Sequence, residues 1–307
     1  MIGTATPHQI APVATRLTVA LAVVAGAGAL ATAVDPDLLA GEPVMVGNLR
    51  GTAWAVLLVG VPTLLISMWR GTRRAAPHVG DDAVVALVVW FGTVAYLVYQ
   101  GVMFCFATPM NALFLLYVGT LGLALWTLIS LWPAMSAAGA ARTASDGPTR
   151  VRYRLIAVVV GGAAALNALA WLARVVPVMQ TGELPDAVRD SGLTTNPVLV
   201  QDLAFWLPAA IVISIATWKR HQTGLLLAGA FLTFWVLEGL TVASDQFWGA
   251  RADDSLPELA SLAMVPAALF VSGILAVPLI MLFRAIAAGP DTDVGAVPDN
   301  GVHAGAA

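Results

Sequence analysis

The sequence predicts an all-α fold, a polytopic bundle of eight transmembrane helices with both termini cytoplasmic. Three observations carry this expectation. Eight apolar runs of about 18 or more residues divide the chain, and at 1.5 Å per helical residue each is long enough for roughly 30 Å of hydrocarbon. The 307 residues are 59% hydrophobic and 11% charged, with a mean hydropathy of +0.84, which leaves too little polar surface for a soluble domain. The polar connectors between runs are arginine-rich on every second occasion, as expected when alternate connectors face the cytoplasm.

The first run covers residues 17–34 and ends before Asp35 and Asp37, and the second covers 52–69 and stops at Arg70. The third, 83–104, turns through Ala107-Thr108-Pro109 into the fourth, 111–132, which Pro133 closes; the pair reads as a helical hairpin. The fifth, sixth, seventh and eighth cover 155–174, 198–217, 223–243 and 261–286. Helices are required because lipid offers no partner to unpaired backbone groups, and the two-residue alternation of barrel strands is absent. Residues 1–16 form a cytoplasmic N-terminal segment, 17–286 the membrane domain and 287–307 a tail without sustained apolar period, expected to be disordered. The stretch Ala134–Thr149, rich in small residues, reads as a flexible linker. A second reading of the first run is a cleaved signal sequence, with Arg16 before it and Ala31-Thr32-Ala33 near its end. The run exceeds the usual signal core of about 7–15 residues, and its removal would leave the sidedness of the other seven spans unchanged.

With the N-terminus cytoplasmic, Arg16, Arg70, Arg73, Arg74, Arg142, Arg150, Arg152, Arg154, Lys219, Arg220 and Arg284 all lie inside. Only Arg50, Arg174, Arg189 and Arg251 lie outside, together with Asp35, Asp37, Glu42, Glu183, Asp186, Asp190, Asp253, Asp254 and Glu258. A single lysine, Lys219, against fourteen arginines in a background rich in Ala, Gly and Val points to a high-GC bacterial genome, so the location expected is a bacterial inner membrane, crossed several times. Cutting at the linker gives halves 17–133 and 155–286 of equal orientation, so a duplication would be parallel. The second and sixth spans hint at one: Pro62 and Pro208 precede Ile66-Ser67 and Ile213-Ser214, then Trp69-Arg70 and Trp218-Lys219-Arg220.

Several chemistries lack their residues. The net charge of −3 with basic residues sorted by side gives no nucleic-acid surface. Cys105 is the single cysteine, so an internal disulfide or a four-cysteine cluster has no ligands. His8, His78, His221 and His303 all fall outside the spans, which supports neither haem nor an intramembrane metal. There is no phosphate loop, no His-Glu-x-x-His, no Gly-x-Ser-x-Gly and no intramembrane lysine. The expectation is therefore no cofactor, no metal and no catalytic residue.

What remains is a set of polar residues inside the apolar runs, where an ionised side chain costs at least about 2.5 kcal/mol at mid-bilayer. Gln100, Asn111, Arg174, Asp202 and Glu238 come from five successive spans and fall at similar levels in the outer leaflet, Glu238 deepest of the charged groups. Asp245 sits at the outer mouth of the seventh span, and Tyr96, Tyr99, Trp206, Trp235 and Trp248 stand ready as aromatic walls. Two readings stand side by side: a ligand site opening outward, or a set of contacts that locks helices, such as an Arg174 pair with Asp202 or Glu238. For Gln100 and Asn111, which flank the external turn, capping of free backbone groups is a further reading.

The segments Tyr96-Leu97-Val98-Tyr99-Gln100 and Asn111-Ala112-Leu113-Phe114-Leu115-Leu116-Tyr117, with Asn196-Pro197-Val198-Leu199-Val200-Gln201-Asp202-Leu203 leading into Leu207-Pro208, resemble a group of uncharacterised bacterial eight-span integral membrane proteins. The resemblance runs from Gly51 to Phe283 and implies topology without an activity. An acidic residue common at the entrance of the second span in that group is replaced here by Gly51-Thr52-Ala53. The function expected is a non-enzymatic membrane protein that binds or transports a small molecule through the outward polar cluster. The rival is an accessory or assembly subunit acting through helix contacts with a membrane protein partner; a third is an enzyme on lipid-linked substrates using Glu238 or Asp202 as general base.

Overall fold

The computed structural model describes residues 7–72, 81–144, 152–183, 186–189, 191–193 and 195–287. Among these residues helix is the only regular secondary structure, and eight helices are long and apolar enough to cross a membrane. They are α1 (Pro12–Val34), α2 (Pro43–Thr72), α3 (Asp82–Phe106), α4 (Phe114–Thr143), α5 (Tyr153–Thr181), α6 (Pro197–Trp218), α7 (Gln222–Ala252) and α8 (Met264–Ala287). The protein is thus a multi-pass membrane protein with an all-α bundle. Arg70, Lys219, Arg220 and Arg284 gather at one face, and Asp35, Asp37, Glu42, Glu183, Asp253 and Glu258 at the other, called here the acidic face.

Several helix ends lie beyond the apolar runs. Helix α2 begins at Pro43 and α7 continues to Ala252, each well beyond its apolar run, because these polar extensions pack on one another. The Gly47-Asn48-Leu49-Arg50-Gly51 turn lets the backbones touch: a Cβ at Gly51 would lie 2.5 Å from the Ser244 carbonyl oxygen, and one at Gly47 2.6 Å from that of Trp248. Ser244 Oγ donates to the Gly51 carbonyl at 2.8 Å, and Arg50 bridges the seam, donating to Ala33 O at 2.7 Å with its guanidinium 4.5 Å from the Trp248 ring centroid. Helix α4 does not stop at Pro133 but runs through it to Thr143, so most of the expected linker is helical. Small residues allow this, since Gly139 lies directly against Thr223 at the start of α7. Residues 145–149 of that linker, and the expected tail beyond Ala287, lie outside the described residues.

Helices α3 and α7 form the centre of the bundle: 61% of the most apolar stretch of each is buried, against 22% in α5 and α6. Helix α7 packs on α2, α3, α6 and α8; α1 packs on α2 and α4; α3 lies between α2 and α4; and α5 pairs chiefly with α6. The central crossing is close because Gly92 faces α7, where a Cβ would meet the Ala230 carbonyl oxygen at 2.4 Å.

Two spans are interrupted in the same way. In α2 residues Val56–Gly60 form a π-helical segment just before Val61-Pro62, and in α6 residues Asp202–Trp206 do so just before Leu207-Pro208. Proline lacks the N–H that would continue the α ladder and its ring crowds the carbonyl four residues earlier. One widened turn relieves both, with Val61 N–H bonded to Val56 O and Leu207 N–H to Asp202 O. The start of α6 is fixed by Asn196, whose Oδ1 accepts from Val198 N at 2.9 Å and Leu199 N at 3.3 Å, with Pro197 at the first helical position.

Candidate carboxylate site

The seven-residue rhythm of α7 places Phe231, Phe234, Glu238, Thr241 and Asp245 on one face. Opposite them α3 presents Tyr96, Tyr99 and Gln100, all buried. Gln100 Nε2 donates to Glu238 Oε2. One turn further along α7, Tyr96 and Thr241 share a hydrogen bond of 2.8 Å, and because the Thr241 hydroxyl proton is used on Leu237 O at 3.0 Å, the tyrosine is the donor. Beyond that, Thr52 of α2 donates through Oγ1 to Asp245 Oδ1 at 2.9 Å.

The third carboxylate belongs to α6. Asp202 opens the π-helical segment, is 6% exposed, and accepts from Trp171 Nε1 of α5 at 2.8 Å. Tyr99 stands between α6 and α7, next to Asp202 and within electrostatic reach of Glu238 and Asp245. Its ring begins an aromatic nest: Tyr99 to Trp206 at 6.2 Å, Tyr99 to Phe234 at 5.5 Å, Trp206 to Phe234 at 4.9 Å and Trp206 to Phe231 at 6.2 Å between centroids. Trp206 Nε1 donates to Gln201 Oε1 at 3.2 Å, while Gln201 Nε2, on a residue only 3% exposed, has no partner.

All donors to the three carboxylates are neutral, and among the described residues no basic side chain pairs with Asp202, Glu238 or Asp245. Such a site takes up positive charge, as a proton or as a bound cation, because a carboxylate removed from water and left without a counter-charge is costly. The described residues contain no group of three His, Cys, Asp or Glu side chains arranged to hold a metal ion.

Of the five residues expected to converge, the fold brings together Gln100, Asp202 and Glu238. Arg174 is exposed on α5 and rests 5.3 Å from the centroid of the Trp171 ring, whose N–H binds Asp202, and makes no pair with either acid. Asn111 stays in the α3–α4 turn, where Oδ1 accepts from Leu113 N at 2.9 Å and Nδ2 donates to Pro109 O at 3.2 Å. Gln100 caps no backbone, since its amide is committed to Glu238. Of the aromatic walls, Tyr96, Tyr99 and Trp206 line the cluster; Trp235 reaches it only through Phe231, at 5.4 Å, and Trp248 stacks on Trp54 at 6.5 Å further toward the acidic face.

Residues the sequence did not single out are Thr52, Trp171, Gln201 and Thr241, while Asp245, expected at the outer mouth of its span, is joined to the cluster through Thr52. The spacing of Glu238, Thr241 and Asp245 was a usable signal for Thr241. For Thr52 the signal was the glycine pair that draws α2 onto α7. Over the acidic-face end of α3 lies a cavity of about 210 Å³ between the connectors, lined by Glu42, Met45, Ala107, Thr108, Pro109 and Ser191 among others. Its floor at Ala107 is seven residues, or about 10 Å of helix, beyond Gln100.

The chain matches no protein-family model, and no curated protein or solved structure is detectably similar to it.

Proposed function

We propose that this is a protein of a bacterial inner membrane, its arginine-rich face cytoplasmic, which binds and transports a small cation through the cluster of Asp202, Glu238 and Asp245. One observation carries the reading: three carboxylates are held inside the bundle by neutral donors, with no basic side chain among the described residues to balance them. Sidedness rests on the arginine distribution, which turns the acidic face and its cavity outward. The reading as an accessory subunit requires a cluster satisfied by its own side chains; the buried, unpartnered Nε2 of Gln201 favours an occupant instead.

The test is cation titration of the purified protein in lipid nanodiscs, with sodium, potassium and tetramethylammonium chlorides as probes and the emission of Trp171 and Trp206 as reporter. At least one cation should give a saturable change. Asp202→Asn with Glu238→Gln should weaken it at least about tenfold while the protein stays monodisperse, as expected when charge-assisted contacts of roughly 1.5–3 kcal/mol each are lost. No saturable response to any of the three, or an affinity indifferent to the double substitution, overturns the proposal.

A further inference from the structure

We propose that the occupant is a small organic ammonium that also carries a hydrogen-bond acceptor, seated between Asp202, Gln201 and the Tyr99–Trp206 nest. This rests on the cation-binding reading and narrows it. Three independent features of the site lead there.

The first is the spacing of the acids. The three carboxylates come from two helices, and among the described residues no three His, Cys, Asp or Glu side chains are placed to hold a metal ion, so these acids do not make the oxygen cage that a small inorganic ion demands. Each already accepts from neutral donors, Asp202 from Trp171 and Tyr99, Glu238 from Gln100 and Asp245 from Thr52. The second is the aromatic content. Trp206 lies 4.9–6.2 Å from Tyr99, Phe231 and Phe234 between centroids, and Tyr99 stands beside the Asp202 carboxylate. Ring faces next to a carboxylate attract an ammonium and do little for a hydrated metal ion. The same part of the molecule already uses an indole this way, since Arg174 sits over Trp171.

The third is Gln201. Its Oε1 is held by Trp206 Nε1, which fixes the amide and leaves Nε2 as a buried donor with nothing to donate to. A buried unmet donor is costly, so an acceptor brought by the ligand recovers much of its binding energy there. A ligand that serves both Gln201 and the neighbouring Asp202 carries an acceptor as well as its charged nitrogen, as amino alcohols and amino carbonyl compounds do.

The experiment uses the full chain in nanodiscs with three probes: choline, which has both features; tetramethylammonium, which lacks the acceptor; and sodium chloride. Choline should bind about fivefold more tightly than tetramethylammonium, the worth of one neutral hydrogen bond, and sodium should displace neither. In Gln201→Leu the two ammonium probes should become equal while both still bind. Trp206→Phe keeps the ring but frees the amide of Gln201, and should likewise erase most of the preference; it serves if the leucine variant does not fold. Equal affinities in the wild type, or a preference that survives both substitutions, overturns the inference. Saturable sodium binding that depends on Glu238 without any ammonium binding overturns it too, but leaves the cation site standing. Failure of all three probes overturns the inference, and removes the cation site as well if potassium chloride also gives no saturable response.

Discussion

At Gly51 a missing side chain decides where a carboxylate ends up. With hydrogen in place of a methyl group the α2 backbone rests on Ser244 and Asp245, and the neighbouring Thr52 hydroxyl reaches Asp245. Gly51→Ala would set a Cβ 2.5 Å from the Ser244 carbonyl oxygen and 2.6 Å from Asp245 Cα, all backbone atoms that cannot swing aside. The helices must separate, which costs about 1–3 kcal/mol by overpacking and loses the Thr52 hydrogen bond as well. The expected result is a melting temperature several degrees lower in detergent, with weaker cation binding. An unchanged melting curve would show that α2 and α7 are not in contact here.

The element that matters most is the widened turn. In α6 the π-helical segment both follows from Pro208 and begins at Asp202, so the direction in which the carboxylate points depends on a proline six residues away. Pro208→Ala restores an N–H able to bond the carbonyl of residue 204 and lets the turn contract to α geometry. Losing the extra residue of a π turn rotates everything N-terminal to it by about 100°, which takes Asp202 off Trp171. The variant should be at least as heat-stable as the wild type yet lose the cation response by about tenfold or more. Retained binding would show that the widened turn does not aim the site. The matching segment at Val56–Gly60 touches the opposite end of the cluster, with Gly60 directly against the Tyr96 ring. Both interruptions therefore face α3, through Tyr96 and through Tyr99 with Trp206.

For the whole molecule the arginine distribution makes a sidedness prediction that the bundle geometry does not. In a Cys105→Ala background, Glu42→Cys on an acidic-face connector should react with a membrane-impermeant maleimide in intact cells. Lys219→Cys on the arginine-rich face should react only after the membrane is opened. The reverse pattern would turn the cavity and the cluster toward the cytoplasm. Both positions are exposed, so labelling reports side and not burial.

Number and rough extent of the spans were written in the sequence, because hydrocarbon imposes a length and an apolarity that each helix satisfies by itself. The same held for Glu238 and Asp202 as notable residues, since a charge within an apolar run stands out in one dimension. Which of the polar residues meet was not legible. Gln100, Arg174 and Asn111 were expected at similar depths on successive spans, but depth says nothing of azimuth, and a single span contributes only one direction around its axis. Only the packing of α7 against α2, α3 and α6 turned Gln100 inward to Glu238, left Arg174 exposed on the outside of the bundle and drew Thr52 onto Asp245. The helix lengths past the apolar runs were decided there as well, because the polar ends of α2 and α7 are helical through their contact with each other and not through any pull of the bilayer.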